Sequence, residues 1–122
     1  MDGWIGVDLD GTLAEYHGWT GGIGKPIKPM VDRVKQWIAD GIDVRIMTAR
    51  VCNDGRYSAE SGRSADEDFV AEQHYAIMQW CFENIGCVLP VTHKKDFMMI
   101  ELWDDRAIQV IKNTGIRAYG KD

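Results

Sequence analysis

Residues 4–12, WIGVDLDGT, set the architecture of the rest of the chain. Apolar residues alternate along this stretch, and its Ile and Val favour a buried strand. The pattern stops at Asp8 and Asp10, whose side chains leave a strand on the same face, and Gly11 lets the backbone turn away at once. Because Asp and Gly are common in turns, these residues alone also fit a plain strand-to-turn boundary. Two carboxylates at the end of an apolar strand are costly, however, unless a cation or a substrate uses them.

The composition predicts one ordinary globular domain, residues 1–122. Hydrophobic residues make up 45% of the chain and charged residues 27%. The formal net charge of −5 argues mildly against a surface that coats nucleic acid, which is usually basic. Three cysteines without a Cys-x-x-Cys pair fit reduced thiols in a cytosol. A basic leader and a run of membrane-spanning length are both missing, so we expect a cytoplasmic protein without a membrane partner.

A segment rich in glycine and proline follows the first strand. It predicts a flap loop over about residues 13–29. Tyr16 and Trp19 in this loop fit two roles equally well, because they can line a site or pack the loop onto the domain. Gly24-Lys25 does not form a phosphate-binding P-loop, since that motif needs a glycine where Trp19 stands and Ser or Thr where Pro26 stands.

The next patterns predict a strand–helix–strand unit. Residues 29–41 carry an apolar helical stripe that starts at a proline and ends at a glycine, and residues 42–47 form a second strand. A unit with this spacing is right-handed and has parallel strands. Both strands then end at one edge of the sheet, so Asp8, Asp10 and Thr48 are predicted to converge where open α/β sheets bind ligands.

The second half of the chain continues this alternation. The polar composition of residues 51–65 predicts an exposed loop. A capping box at Ser64 then predicts the start of a helix that runs to about Asn84. We expect strands over 88–91, 98–103 and 116–119, the last at an edge of the sheet, and a helix over 105–113 with Ile108 and Ile111 inward. Together these elements predict an α/β fold, a Rossmann-like three-layer sandwich with a mainly parallel central sheet.

Polar residues gather at the predicted strand ends. They are Asp8, Asp10, Thr48, one of Lys94 and Lys95, and Asp104 with Asp105. Three or four carboxylates at one edge need a hard cation, and oxygen ligands suit magnesium. Magnesium with a lysine and a hydroxyl nearby makes a site for phosphoryl groups, whose charge must be neutralised during transfer.

In the order of these residues the chain resembles the aspartate-based phosphohydrolases of the haloacid dehalogenase superfamily. Asp8-Leu-Asp-Gly-Thr12 matches the first motif of that superfamily, DxDGT, and Thr48 after an apolar strand matches the second. A lysine upstream of the 98–103 strand matches the third motif, and Asp104-Asp105 matches the acidic fourth. The four matches occur in the order typical of the superfamily and cover most of the chain.

The resemblance implies a magnesium-dependent phosphatase that hydrolyses a phosphomonoester through an aspartyl-phosphate on Asp8. Asp10 would protonate the leaving group and then activate water, while its backbone carbonyl helps to hold Mg²⁺. Thr48 would hydrogen-bond the phosphoryl oxygens. Lys95, or else Lys94, would hold Asp8 and the phosphate together.

The resemblance also implies the metal and substrate positions. Asp104 and Asp105 would complete the Mg²⁺ site with Asp8 and Asp10, and Asp105 takes the usual ligand position of the family. The implied substrate-binding positions are Gly11, Thr12, Ala49 and Arg50. Arg50 and Arg106 each have two possible roles: they can orient the substrate or pair with the acids.

The chain resembles the capless subgroup of this superfamily, because the gap after the first motif has room only for a flap. An open site of this kind admits phosphoproteins and nucleic-acid ends as well as small molecules. Two other interpretations stay open, a phosphotransferase with the same intermediate and a non-catalytic module that accepts or binds phosphate. Receiver domains of response regulators order their acids differently, with the phospho-accepting Asp on the third strand. The substrate and the oligomeric state, including a homo-oligomer, stay open.

Overall fold

The structure is a computed structural model that describes residues 2–52 and 67–120. Its regular elements in chain order are β1 (Trp4–Asp8), α1 (Lys28–Ala39), β2 (Asp43–Met47), a short 3-10 helix (Ala49–Val51), α2 (Glu67–Asn84), β3 (Val91–Thr92) and β4 (Met99–Trp103). The capping box predicted at Ser64 and nearly all of the loop predicted over residues 51–65 lie outside the described residues.

The four strands form one parallel sheet in the order β3-β2-β1-β4. β1 lies inside the sheet, where Asp8 is opposite Met47 of β2 and Val7 is opposite Trp103 of β4. Because all the strands run the same way, their carboxyl ends share one edge. The predicted α/β fold with a parallel sheet is confirmed.

One face of the sheet packs against both helices. Val7 of β1 and Ile46 of β2 are fully buried, as are Val34 of α1 and Ile77 of α2, and all four belong to a single hydrophobic cluster. Burying one side chain of this kind stabilises the fold by about 1.5–3 kcal/mol. The cluster therefore holds β1 and β2 rigidly under the edge where their carboxyl ends lie.

The predicted helix over residues 105–113 is wrong, and so is the predicted edge strand over 116–119. Residues 104–120 form no helix, and Val110 instead makes an antiparallel bridge with Arg117. Asn113 and Gly115 have φ angles of 67° and 72°, which close a turn between the two halves of this segment. Turn chemistry has overridden the apolar spacing, so that Ile108, predicted to point inward, is exposed.

The first strand, the first helix and the second strand agree with the sequence patterns to within one or two residues. The short strand predicted over 88–91 is displaced to Val91–Thr92. Within residues 2–52 and 67–120, neither helix combines the length and the apolar character that crossing a lipid bilayer requires.

Candidate functional site

Three carboxylates meet where β1 and β4 end. Asp8 is the last residue of β1, and Asp104 and Asp105 directly follow β4. One oxygen of each carboxylate lies within 4.8 Å of an oxygen of the other two. The parallel pairing of β1 with β4 brings these acids together from distant parts of the chain, as the sequence predicts.

Gly11 allows the two acidic segments to approach. Its φ angle is 91°, which strains any other residue, and a Cβ added there would lie 2.5 Å from Oδ2 of Asp105, so a side chain would displace this carboxylate. Oγ1 of Thr12 lies 3.5 Å from Oδ2 of Asp8 and 3.4 Å from Oδ1 of Asp105. Two of the predicted substrate-binding positions, Gly11 and Thr12, are thus at the carboxylate cluster.

The cluster carries more negative charge than its surroundings neutralise. Burial, together with the charges of Asp104, Asp105 and Asp10 and a hydrogen bond with Asp105, raises the pKa of Asp8 to about 7. Among the described residues no Lys, Arg or His forms an ion pair with Asp8, Asp104 or Asp105. A cation bound between these oxygens would offset the repulsion.

Magnesium fits this donor set. The three acids supply only oxygen ligands, which a hard divalent cation prefers over softer donors. Asp8, Asp104 and Asp105 are therefore the side chains that would hold Mg²⁺.

The carboxylate of Asp10 is not a member of this cluster and pairs with Arg50. Nε of Arg50 donates to Oδ2 of Asp10 at 2.7 Å, and Nη2 donates to Oδ1 at 2.9 Å. Of the two roles open for Arg50, the structure shows pairing with an acid. The predicted metal contact of Asp10 involves its backbone carbonyl and stays a prediction.

Arg50 has further partners in the loop and in α2. Nη1 donates to Oε1 of Gln73 at 3.0 Å, and Nη2 also donates to the carbonyl oxygen of Gly22 at 2.8 Å. The ring of Trp19 lies 4.7 Å from the guanidinium carbon, so the loop that carries Trp19 adjoins the site. Sequence reasoning missed Gln73, although its position four residues before buried Ile77 places it on the inner face of α2.

Thr48 stands at the same edge, directly after β2. It is buried, its amide donates to the carbonyl oxygen of Thr92 at 2.9 Å, and its Oγ1 accepts from the amide of Arg50 at 3.1 Å. Because the hydroxyl oxygen acts as an acceptor there, its hydrogen stays free to be donated to another acceptor. Ala49, the next residue, is exposed at this edge.

Neither of the two lysines considered for the third motif pairs with Asp8. Lys94 and Lys95 are both exposed, and neither forms an ion pair with a carboxylate in the described part of the chain. Asp96 is engaged elsewhere, since hydrogen bonds from the indole of Trp4 and the amide of Met98 lower its pKa. The role of Lys95, with Lys94 as the alternative, stays a prediction.

The sequence matches no protein-family model and no curated protein at a significant level. A solved structure of a conserved protein coded by a locus of Bacteroides thetaiotaomicron is similar, with a TM-score of 0.55 and 18% sequence identity. The match covers 88% of this chain and 78% of that chain. A likeness at this identity supports the α/β fold and says nothing about activity.

Mg²⁺ is expected to stabilise the folded protein, and more strongly at high pH. Because folding raises the pKa of Asp8 from 3.8 to about 7, the folded chain holds that proton more tightly than the unfolded chain. Without metal, the free energy of unfolding should therefore fall as the pH rises from about 4 to about 8. Near the upper end of this range, where the cluster is charged, Mg²⁺ bound to it should raise the melting temperature.

Thermal unfolding at about pH 5 and about pH 8, with and without Mg²⁺, measures this effect. Asp8→Asn should flatten the pH dependence of the metal-free protein and remove most of the stabilisation by Mg²⁺. Equal stabilisation of both proteins by Mg²⁺ would place the metal elsewhere.

Proposed function

We propose that this chain is a magnesium-dependent phosphatase of the haloacid dehalogenase type that hydrolyses a phosphomonoester through Asp8. The observation that carries the proposal is the meeting of Asp8 with Asp104 and Asp105 at the carboxyl edge of a parallel sheet. A carboxylate nucleophile, two further metal-ligand acids and an adjacent acid–base residue are the groups that this chemistry needs. The order of the matched motifs along the chain supports the same assignment.

Asp8 is the nucleophile in this mechanism. One oxygen of its carboxylate attacks the phosphorus atom, the bond from phosphorus to the leaving oxygen breaks, and an acyl-phosphate forms. Bound Mg²⁺ would supply positive charge against the phosphoryl oxygens and the acids. The turn at Gly11 keeps the backbone close to the Asp105 carboxylate.

Asp10 handles the proton in both halves of the reaction. It gives a proton to the leaving oxygen in the first half and takes one from water in the second. The water oxygen attacks the phosphorus, inorganic phosphate leaves, and the Asp8 carboxylate is restored. Because Asp10 lies two residues after Asp8, the same short segment supplies the nucleophile and the proton-transfer group.

Thr48 and Lys95 complete the proposed phosphoryl site. The Thr48 hydroxyl keeps a donor hydrogen for a phosphoryl oxygen, since its oxygen already accepts from the amide of Arg50. Lys95 is exposed on a long flexible stem, which would let its ammonium group turn toward Asp8 when phosphate adds negative charge. Lys94, also exposed, is the alternative.

We infer a cytoplasmic location and a phosphorylated substrate that is a small molecule, a phosphoprotein or a nucleic-acid end. Free thiols at Cys52, Cys81 and Cys87 support a reducing compartment. The cluster is only partly buried, which supports an open site that does not restrict the size of the substrate.

Phosphate release from a panel of phosphomonoesters tests this proposal. The panel contains nucleotides, sugar phosphates, phosphopeptides and oligonucleotides with terminal phosphates, each with Mg²⁺ and with a chelator. We expect release that requires Mg²⁺, because three of the acids would otherwise repel the phosphoryl group. The compound hydrolysed fastest then identifies the substrate class.

Two outcomes of this panel would contradict hydrolysis. Turnover that requires an added acceptor alcohol, and that yields the phosphate ester of this alcohol in place of inorganic phosphate, would identify a phosphotransferase. Phosphate that persists on Asp8 for minutes without turnover would identify a phospho-accepting module.

A further inference from the structure

Arg50 is buried to an unusual degree for a charged side chain. Its side chain is 4% exposed, whereas its partner Asp10 is 22% exposed. Four of its N–H groups donate to Asp10, Gln73 and the carbonyl of Gly22. A guanidinium has five such groups, so at most one is left for a substrate. Because a buried charge is costly unless all its partners are in place, this arrangement depends on every one of these contacts.

We infer that Arg50 is a positioning residue that fixes the Asp10 carboxylate and ties its place to the 15–27 loop and to α2. The inference rests on the proposed function, in which Asp10 transfers the proton. In this assignment Arg50 acts through Asp10 and does not contact the reacting atoms.

The bidentate pair restricts Asp10 in a way that a single hydrogen bond would not. Asp10 follows the end of β1, and its backbone forms only an isolated bridge with Ala14 among the described residues. Two parallel bonds from one planar guanidinium fix both the position and the plane of the carboxylate. A misplacement of only about 1 Å at a catalytic group can cost about 10²-fold in rate.

Arg50 also holds the loop that flanks the site. It bonds the carbonyl of Gly22 and lies against the ring of Trp19. Gly24, two residues after Gly22, has two contacts of its own. Its carbonyl accepts a hydrogen bond from the indole of Trp80 in α2 at 2.9 Å. It also lies so close to the backbone of Glu15 that a Cβ would not fit. The loop is thus held at Gly24 by α2 and at Gly22 by Arg50.

One face of α2 supports both attachments. Gln73 bonds Arg50, and Trp80, seven residues later on the same helix face, bonds the loop. Displacing the loop at Gly22 therefore pulls on the same guanidinium that holds Asp10. The position of the loop and the position of the proton-transfer group are coupled through a single side chain.

Arg50→Gln and Arg50→Lys test this assignment by steady-state kinetics. We expect kcat to fall about 10²-fold in both variants, with a smaller change in KM, because neither side chain offers the planar fork. Arg33→Gln is the control, since the exposed guanidinium of Arg33 also lies 4.7 Å from a tryptophan ring, that of Trp103, and forms no ion pair with a carboxylate of the described residues. Its kcat should stay at the native value.

A double-mutant cycle separates positioning from a merely structural role. If Arg50 acts through Asp10, Arg50→Gln should cost little further activity in an Asp10→Asn background. Full additivity of the two losses would overturn the assignment. Near-ultraviolet circular dichroism checks that each variant is folded. If Arg50→Gln does not fold, Arg50→Lys, which keeps the buried charge, replaces it in the cycle.

Amide hydrogen exchange gives a readout that does not need activity. Exchange across residues 15–25 should rise in Arg50→Gln or Arg50→Lys and stay at the native rate in Arg33→Gln. Unchanged exchange would overturn the tie between Arg50 and the loop. If the native protein releases no phosphate from any compound, the proposed function fails and the kinetic role of Arg50 fails with it, while exchange still decides the structural tie.

Discussion

Asp8→Asn is expected to abolish magnesium-dependent phosphate release, with a loss of at least about 10³-fold. An amide is a poor nucleophile and cannot form the acyl-phosphate that the proposed reaction requires. The variant should fold, because Asn has nearly the same shape as Asp and removes a partly buried charge beside Asp104 and Asp105. Initial rates of phosphate release with the best substrate of the panel measure the effect.

Asp32→Asn controls for the chemical change itself. Asp32 is exposed on α1 and pairs with Lys28 at 2.6 Å, so the same substitution there removes a carboxylate that the reaction does not use. An exposed pair contributes at most about 1 kcal/mol to stability, and we expect native activity. Normal turnover by a folded Asp8→Asn protein would rule out the aspartyl-phosphate mechanism.

Asp10→Asn is expected to slow turnover by at least about 10²-fold while substrate binding persists, in line with the loss of general acid–base help. The first half of the reaction should be affected least for an ester whose leaving group is a good one, such as a nitrophenolate, because that oxygen needs little protonation. Rapid mixing separates leaving-group release from phosphate release and shows which half is slowed. An unchanged rate would move the proton transfer to another residue.

The chain offers a matched control for this substitution. Asp43 also accepts two bonds from one arginine, with Nε of Arg45 at 3.3 Å and Nη2 at 2.9 Å. It lies at the start of β2, the opposite end of the sheet from the acids. Asp43→Asn therefore breaks a comparable pair without touching the site, and its turnover should match that of the native protein.

Asp8 and Asp10 have different electrostatic surroundings. Asp10 has a buried arginine as its partner, whereas Asp8 has only other carboxylates nearby and its pKa is raised to about 7. Two acids two residues apart are therefore placed in different electrostatic environments. Such a difference suits two distinct roles, one acid for the metal and the phosphoryl group and one for the proton.

Local patterns were enough to predict the parallel α/β fold and the edge where the acids meet. The alternation in β1 and the helical stripe of α1 depend on neighbours a few positions apart, and parallel strands necessarily end together. Asp8, Asp104 and Asp105 could be predicted to meet because Asp8 ends one parallel strand and the other two acids are the first residues after its neighbour.

The tertiary structure decided the direction of the Asp10 side chain and the conformation of the C-terminal segment. Asp10 shares the face of Asp8 only if the strand continues, but β1 ends at Asp8, and Arg50, 40 positions away, draws the Asp10 carboxylate to itself. The packing of α2 supplies Gln73 to that arginine, and no local spacing reveals this pairing. In residues 105–113 the apolar spacing indicated a helix, and 116–119 were predicted as a strand. Left-handed residues in a turn prevailed, because a short segment with exposed apolar side chains follows its turn chemistry.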